Sequence, residues 1–202
     1  MKIPDIIPLN QPGQYCLNCF SPNVKRVFQD NFTYYHCSAC NKSLERSLVI
    51  DDAITWWIDE ENNYWHESVG VLVISGNKLL TQLRQIYPFA YTIPAGHLDK
   101  NELPEAAAKR ELYEETGLVV QSLEVLKENF DIAGDSCRRG SDHHRWHLYR
   151  VRMKARPEVR LSDEATQTKW MTLQELKKET RLTYPLKFFI DTMGEKLFKL
   201  TN

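Results

Sequence analysis

No apolar run in this 202-residue chain approaches the roughly 20 residues that a membrane-spanning helix needs. A membrane partner is therefore not expected. Charge of a single sign is equally scarce: 26 Lys and Arg stand against 27 Asp and Glu, giving a formal net charge of −1 and a pI of about 6.6. A general nucleic-acid binder needs a basic surface to displace counterions from phosphates, and near-neutrality removes that expectation. Cysteine is confined to five positions, and with no secretory signal peptide a disulfide framework is not expected. Reduced thiols and the lack of a targeting segment make the cytoplasm the expected compartment. There is no internal repeat and no low-complexity tract. What is present is enough for one proper core, since 42% of the residues are hydrophobic.

From Gly96 to Leu118 the chain reads G-H-L-D-K-N-E-L-P-E-A-A-A-K-R-E-L-Y-E-E-T-G-L. At about 100° of rotation per residue, Glu111, Glu114 and Glu115 fall within an arc of roughly 100° on one helical face. Three carboxylates crowded there repel one another, and hard cations such as Mg²⁺ or Mn²⁺ are the economical way to neutralise them. Ala107 and Ala108 lie about one turn earlier on roughly the same face, where small side chains are expected to leave room for a phosphate ligand. Pro104 at the first helical position and Gly117 at the end predict a helix from about Leu103 to Thr116. Arg110, four residues before Glu114, can pair with it or with Glu102 and so orient the side chains around the metals. A lone E-x-x-E-E is ordinarily a solvated charged face, but here further polar and glycine positions stand in register with it.

At every fixed position this segment resembles the Nudix box, G-x5-E-x7-R-E-U-x-E-E-x-G-U with U aliphatic. Resemblance to the Nudix hydrolases implies an α/β fold, an α/β/α sandwich with a mixed sheet, across about residues 51–202. It also implies metal-dependent hydrolysis of a pyrophosphate bond in a nucleoside diphosphate linked to another moiety. On the same footing, Glu114 and Glu115 look like direct metal ligands and Glu111 like a further ligand or the catalytic base. The carbonyl next to Gly96 joins them, with Glu102 and Arg110 in support. Some branches of the family place the base outside the box, and Glu164 in L-S-D-E-A-T is then the candidate, with Asp163 its rival.

Cys16-Leu-Asn-Cys19 and Cys37-Ser-Ala-Cys40 have the pairing and separation of a four-thiolate Zn²⁺ site. The fifty residues around them are too few to fold without that metal, so the reading is a zinc ribbon over residues 1–50 and a Nudix hydrolase domain over 51–202. Pro22 to Tyr35 is expected to supply the ribbon's hairpin. Five basic and three acidic side chains in residues 1–50 are offset by the charge of a zinc tetrathiolate, which points to a structural or homodimerising module. The organisation is similar to NADH pyrophosphatases, but their S-Q-P-W-P-F-P-x-S motif is replaced here by V-V-Q-S-L-E-V-L-K-E-N-F. ADP-ribose, nucleotide sugars, dinucleotides, nucleoside triphosphates and capped RNA stay open as substrates. A ligand-sensing or nucleic-acid-binding regulator that uses a Nudix domain without turnover is the alternative from another class.

Gly76-Asn77 predicts a turn between two strands, and Asn129 to Ile132 and Arg145 to Met153 read as strands flanking the loop A-G-D-S-C-R-R-G-S-D-H-H. Leu118 to Val125 reads as another apolar stretch, and Leu173 to Lys178 and Leu186 to Lys199 have helical patterning. Residues 48–65, with three tryptophans, are too apolar to stay in solvent; core packing is the ordinary explanation and contact between subunits or with a base the sharper one. Arg138 and Arg139 in the loop, and Arg84 upstream, are candidate phosphate contacts. A solvated hairpin is the plainer reading of that loop. Cys137 reads as a free thiol, and His143, His144 and His147 do not suffice for a second zinc site.

Overall fold

The structure, a computed structural model, describes residues 1–199. Five short strands open the chain: β1 (Gly13–Cys16), β2 (Val24–Gln29), β3 (Phe32–Cys37), β4 (Lys42–Leu44) and β5 (Ser47–Ile50). β2, β3 and β4 form an antiparallel sheet, and β1 pairs with β5. Asp30 and Asn31, both at positive φ, turn β2 into β3 within the predicted hairpin.

There follow β6 (Trp56–Ile58), β7 (Tyr64–Ser75), β8 (Lys78–Arg84), β9 (Tyr91–Thr92), β10 (Ala95–His97), α1 (Pro104–Thr116), β11 (Glu124–Ala133), β12 (His143–Met153), β13 (Ala165–Thr172), α2 (Leu173–Lys178) and α3 (Tyr184–Met193). Their sheet runs β11-β12-β7-β8-β13, with β6 and β10 also on β7 and β9 on β8. Only β12 and β7 run parallel, which makes the sheet mixed. Strand alternation splits β7 between two cores. Val69, Val71 and Val73 meet Ala107, Ala108 and Leu112 of α1, while Leu72 and Ile74 meet Leu176, Leu186, Phe189 and Ile190 of α2 and α3. The expected α/β/α sandwich is the result.

Three expectations change. Ala107 and Ala108 are fully buried against the sheet, so their small size lets α1 approach β7 and leaves no room there for a phosphate. The stretch from Leu118 is irregular until β11 begins at Glu124. β11 is then one bulged strand, with register shifts before Lys127 and Phe130 and Asn129 at a φ of 51°, so it did not read as a single alternating run. The terminal helix ends at Met193 and continues as a 3₁₀ turn, Gly194–Leu197.

The tryptophan-rich segment packs within the chain. Trp57 stacks on Trp65 at 5.7 Å, and Trp56 meets Tyr64 edge-on at 5.6 Å. A third core joins Ile3, Ile7, Tyr15, Leu48 and Ile50 to Tyr64, so the N-terminal strands and the large sheet share apolar packing. Leu112 is the apolar anchor between α1 and β7. Leu112→Ala is expected to lower unfolding free energy by about 3 kcal/mol, as measured by denaturant titration. A loss below about 1 kcal/mol would mean that α1 is held by its polar contacts alone.

Candidate active site

The box begins where β10 pairs antiparallel with β7, Gly96 lying opposite Val69. A Cβ on Gly96 would fall inside the carboxyl group of Glu111, so glycine is what lets the strand and the helix meet at this point. A turn closed by Glu102 N–H on the Asp99 carbonyl leads into α1, and Gly117 ends the helix in the left-handed conformation with its N–H on Tyr113.

Arg110 ties the pieces together. Its Nε and Nη2 donate to both oxygens of Glu102 at 3.0 and 2.8 Å, and Nη1 donates to Glu111 at 2.7 Å and Glu114 at 3.3 Å. Nη2 also reaches the His97 carbonyl at 3.1 Å. That guanidinium holds the Glu102 carboxyl below its usual range.

The three helical carboxylates differ in exposure. Glu114 is open, with 56% of its side chain exposed, while Glu111 is mostly covered and Glu115 is buried. Burial pushes Glu115 up to about 8; Arg84 and the Ala95 N–H, which donates to it at 3.0 Å, oppose that rise, and Glu111 and Glu164 add to it. Burial also raises Glu111, against Arg110. Oxygen donors that resist ionising for want of positive charge are a fitting donor set for a hard divalent cation.

All of these line a cleft of about 400 Å³. Glu164 lines it too, accepting from Arg138 at 3.1 Å with Arg84 at 3.8 Å. Asp163 is exposed and lies outside the lining. Arg84, Arg138 and Arg139 line the cleft, and Arg139 pairs with Asp51. The cleft thus brings together every box residue singled out for metal binding, the outside carboxylate and the three arginines.

The loop before β12 is not a solvated hairpin. Arg46 donates to the carbonyls of Cys137 and Ser141 and to the Asp142 carboxylate, while Ser47 and Val49 N–H groups donate to the carbonyls of Arg138 and Arg139. The N-terminal strands therefore hold the backbone of the two cleft arginines. Asp142 serves that contact, and Asp135 is buried beneath the loop.

The histidine cluster is assembled differently from its sequence neighbourhood. His143 tilts against Trp65, and His147 Nε2 lies 2.8 Å from Glu67. His144, opposite His66 in the parallel β12–β7 register, is the one of the three that meets His97 and Cys137. Burial drives His97 down to about 3. It also opposes protonation of His144, but Asp135 and Cys137 outweigh it and lift that ring to about 9. Sequence spacing held no signal for this group, because strand register creates it.

The four ribbon cysteines also converge, with Cys16 and Cys40 sulfurs 3.7 Å apart and Cys19 and Cys37 sulfurs 3.6 Å apart. Four sulfurs at zinc-bond length define a tetrahedron with edges of about 3.8 Å.

Fold and cleft together define a mixed-sheet α/β/α sandwich whose cleft is lined by the carboxylates of one helix and by three arginines. A family model for the NUDIX domain matches residues 65–191. The chain belongs to the Nudix family. It is 39% identical to an RNA pyrophosphohydrolase of Bartonella henselae over 32% of this chain and 41% of that protein. It is 43% identical to the chloroplastic Nudix hydrolase 26 of Arabidopsis thaliana over 32% of this chain and 29% of that one. The chain thus spans less than half the length of these curated relatives. A bifunctional NMN adenylyltransferase/ADP ribose pyrophosphatase of Francisella tularensis, complexed with AMP and a manganese ion, superposes with a TM-score of 0.52. Sequence identity there is 25%, over 65% of this chain and 42% of that one.

Gly96→Ala is expected to displace the Glu111 carboxyl and weaken Mn²⁺ binding about tenfold, by calorimetric titration, while the protein still melts cooperatively. Unchanged affinity would show that the close approach of Gly96 to Glu111 has no part in holding the cation.

Proposed function

We propose that the chain is a Nudix hydrolase that cleaves the pyrophosphate bond of a nucleoside diphosphate linked to another moiety, with Mg²⁺ or Mn²⁺ in the carboxylate cleft. The observation that carries this reading is the pairing, in one cleft, of Glu111, Glu114, Glu115 and Glu164 with Arg84, Arg138 and Arg139. The relatives point the same way, one being an RNA pyrophosphohydrolase and another an ADP ribose pyrophosphatase.

Glu111, Glu114, Glu115 and the Gly96 carbonyl would hold the cation, which supplies charge neutralisation and a more acidic bound water. Arg110, fixed by both oxygens of Glu102, keeps Glu111 and Glu114 directed into the cleft. Arg84, Arg138 and Arg139 are placed to take the diphosphate oxygens. Arg138 is engaged by Glu164 at rest. An arriving diphosphate competes for that guanidinium and frees the Glu164 carboxylate to take a proton from the attacking water. Glu111 is its rival, closer to Glu115 but tied to Arg110.

Glu115→Gln is expected to lower kcat by at least about 10²-fold with the fold intact. Near-normal turnover at saturating metal would remove the carboxylate assignment. Comparing Glu164→Gln with Glu111→Gln then locates the base: the base variant loses the acidic limb of the pH–rate profile, whereas an unchanged rate in Glu164→Gln excludes it. Substrates containing ADP-ribose, nucleotide sugars and triphosphate-ended RNA, assayed by their nucleotide products, identify the linked moiety.

Within this reading residues 1–50 are a zinc ribbon on Cys16, Cys19, Cys37 and Cys40, and residues 51–202 the hydrolase domain. Cys37→Ser is expected to lose one zinc per chain by elemental analysis, and turnover falls with it because β5 holds the Arg138–Arg139 backbone. A variant that sheds the zinc yet keeps its rate would confine the ribbon to a separate role.

A further inference from the structure

His66 on β7, His97 on β10, Cys137 in the loop before β12, and His144 on β12 each offer one ligand atom, and these atoms all lie within 4.8 Å of one another. His66 and His144 are essentially inaccessible to solvent. His66 Nδ1 lies 3.1 Å from His97 Nε2 and 3.5 Å from Cys137 Sγ. Around a tetrahedral zinc with ordinary bond lengths, two nitrogens stand about 3.3 Å apart and a nitrogen and a sulfur about 3.6 Å apart. The observed separations match an ion-sized gap.

His144 carries a further mark of a ligand. Its Nδ1 sits 3.0 Å from the Asp135 carbonyl and 3.2 Å from the Asp135 carboxylate, which in turn accepts from the Trp146 indole at 2.9 Å. A carboxylate fixed behind one ring nitrogen sets the tautomer and leaves Nε2 as the donor to a metal. Three imidazoles and a thiolate make a soft, closed, four-donor set without an oxygen, suited to zinc and poorly suited to Mg²⁺. We propose that His66, His97, Cys137 and His144 form a second zinc site, distinct from the ribbon cysteines and from the carboxylates, in the same cleft that His97, Cys137 and His144 help to line.

Its place in the fold gives it a positioning task. His97 directly follows Gly96, and its carbonyl takes a hydrogen bond from Arg110, while Cys137 directly precedes Arg138. One ion would therefore lock the strand that opens the box to the loop that carries the cleft arginines. Binding displaces the proton shared between Cys137 and His144 to solvent.

Metal content decides the matter without any activity assay. The full chain is loaded with Zn²⁺ and then dialysed against excess Mg²⁺, which displaces zinc from oxygen-donor sites. Elemental analysis is expected to give two zinc ions per chain. Cys137→Ser and His144→Ala retain one, Cys37→Ser retains one, and Cys37→Ser with Cys137→Ser retains none. A single zinc in the wild type that persists in Cys137→Ser would overturn the proposal. So would iron or copper bound in its place with the same residue dependence. Because a histidine variant can fail to fold, Co²⁺-loaded protein with Cys16, Cys19, Cys37 and Cys40 all changed to Ser, which leaves Cys137 as its one thiol, provides an independent check. Its thiolate-to-cobalt absorption must come from Cys137, and a protein that binds Co²⁺ without that band overturns the site.

Discussion

One guanidinium holds the cleft in shape. Arg110 is half enclosed by Glu102, Glu111, Glu114 and the His97 carbonyl, so it joins the loop before α1, the helix itself and strand β10. A planar fork with five donors can satisfy three carboxylates and a carbonyl at once, and a lysine cannot do so in fixed directions. The carboxylates can face one another only because this cation sits behind them and another cation is expected in front. Removing either leaves like charges at close range in a partly dry site.

The main elements were legible because local chemistry specifies them. Pro104 and Gly117 bracket α1, Gly76-Asn77 turns β7 into β8, and the four ribbon cysteines carry their own spacing rule. The acidic and basic side chains of the cleft could also be named, since box spacing fixes Glu111, Glu114 and Glu115 relative to Arg110. Features that depend on long-range register were not legible. His66 meets His144 because β7 and β12 run parallel with those two residues opposite, and no local window holds both. Ala107 and Ala108 were misjudged for a related reason: a helical face has two flanks, and only packing shows which flank meets the sheet. β11 hid behind its bulges, which break the alternation that marks a strand.

The N-terminal strands are tied into the large mixed sheet and its cleft more closely than a two-module sequence suggests. Phe32 meets Phe89 edge-on at 4.7 Å, Thr33 N–H donates to the Gln85 carbonyl, and the Arg46 guanidinium lies over Tyr87. Together with the hydrogen bonds from Ser47 and Val49 to the arginine loop, these contacts put the ribbon on the rim of the cleft. Among the described residues no helix is long and apolar enough to cross a membrane, and the apolar surface of the tryptophan segment is spent on internal packing.

The third core has a consequence for how this molecule comes apart. Ile3, Ile7, Leu48 and Ile50 pack with Tyr64, whose hydroxyl donates to the Val49 carbonyl, and Tyr64 begins the same strand that carries Val69 to Val73 through the centre of the large sheet. A cut at residue 50 would strip one side from that strand and leave Tyr64 without its apolar cover or its acceptor. The N-terminal strands and the large sheet thus share one apolar foundation. Partial opening of one exposes the foundation of the other, so half-unfolded forms of this chain are costly and short-lived.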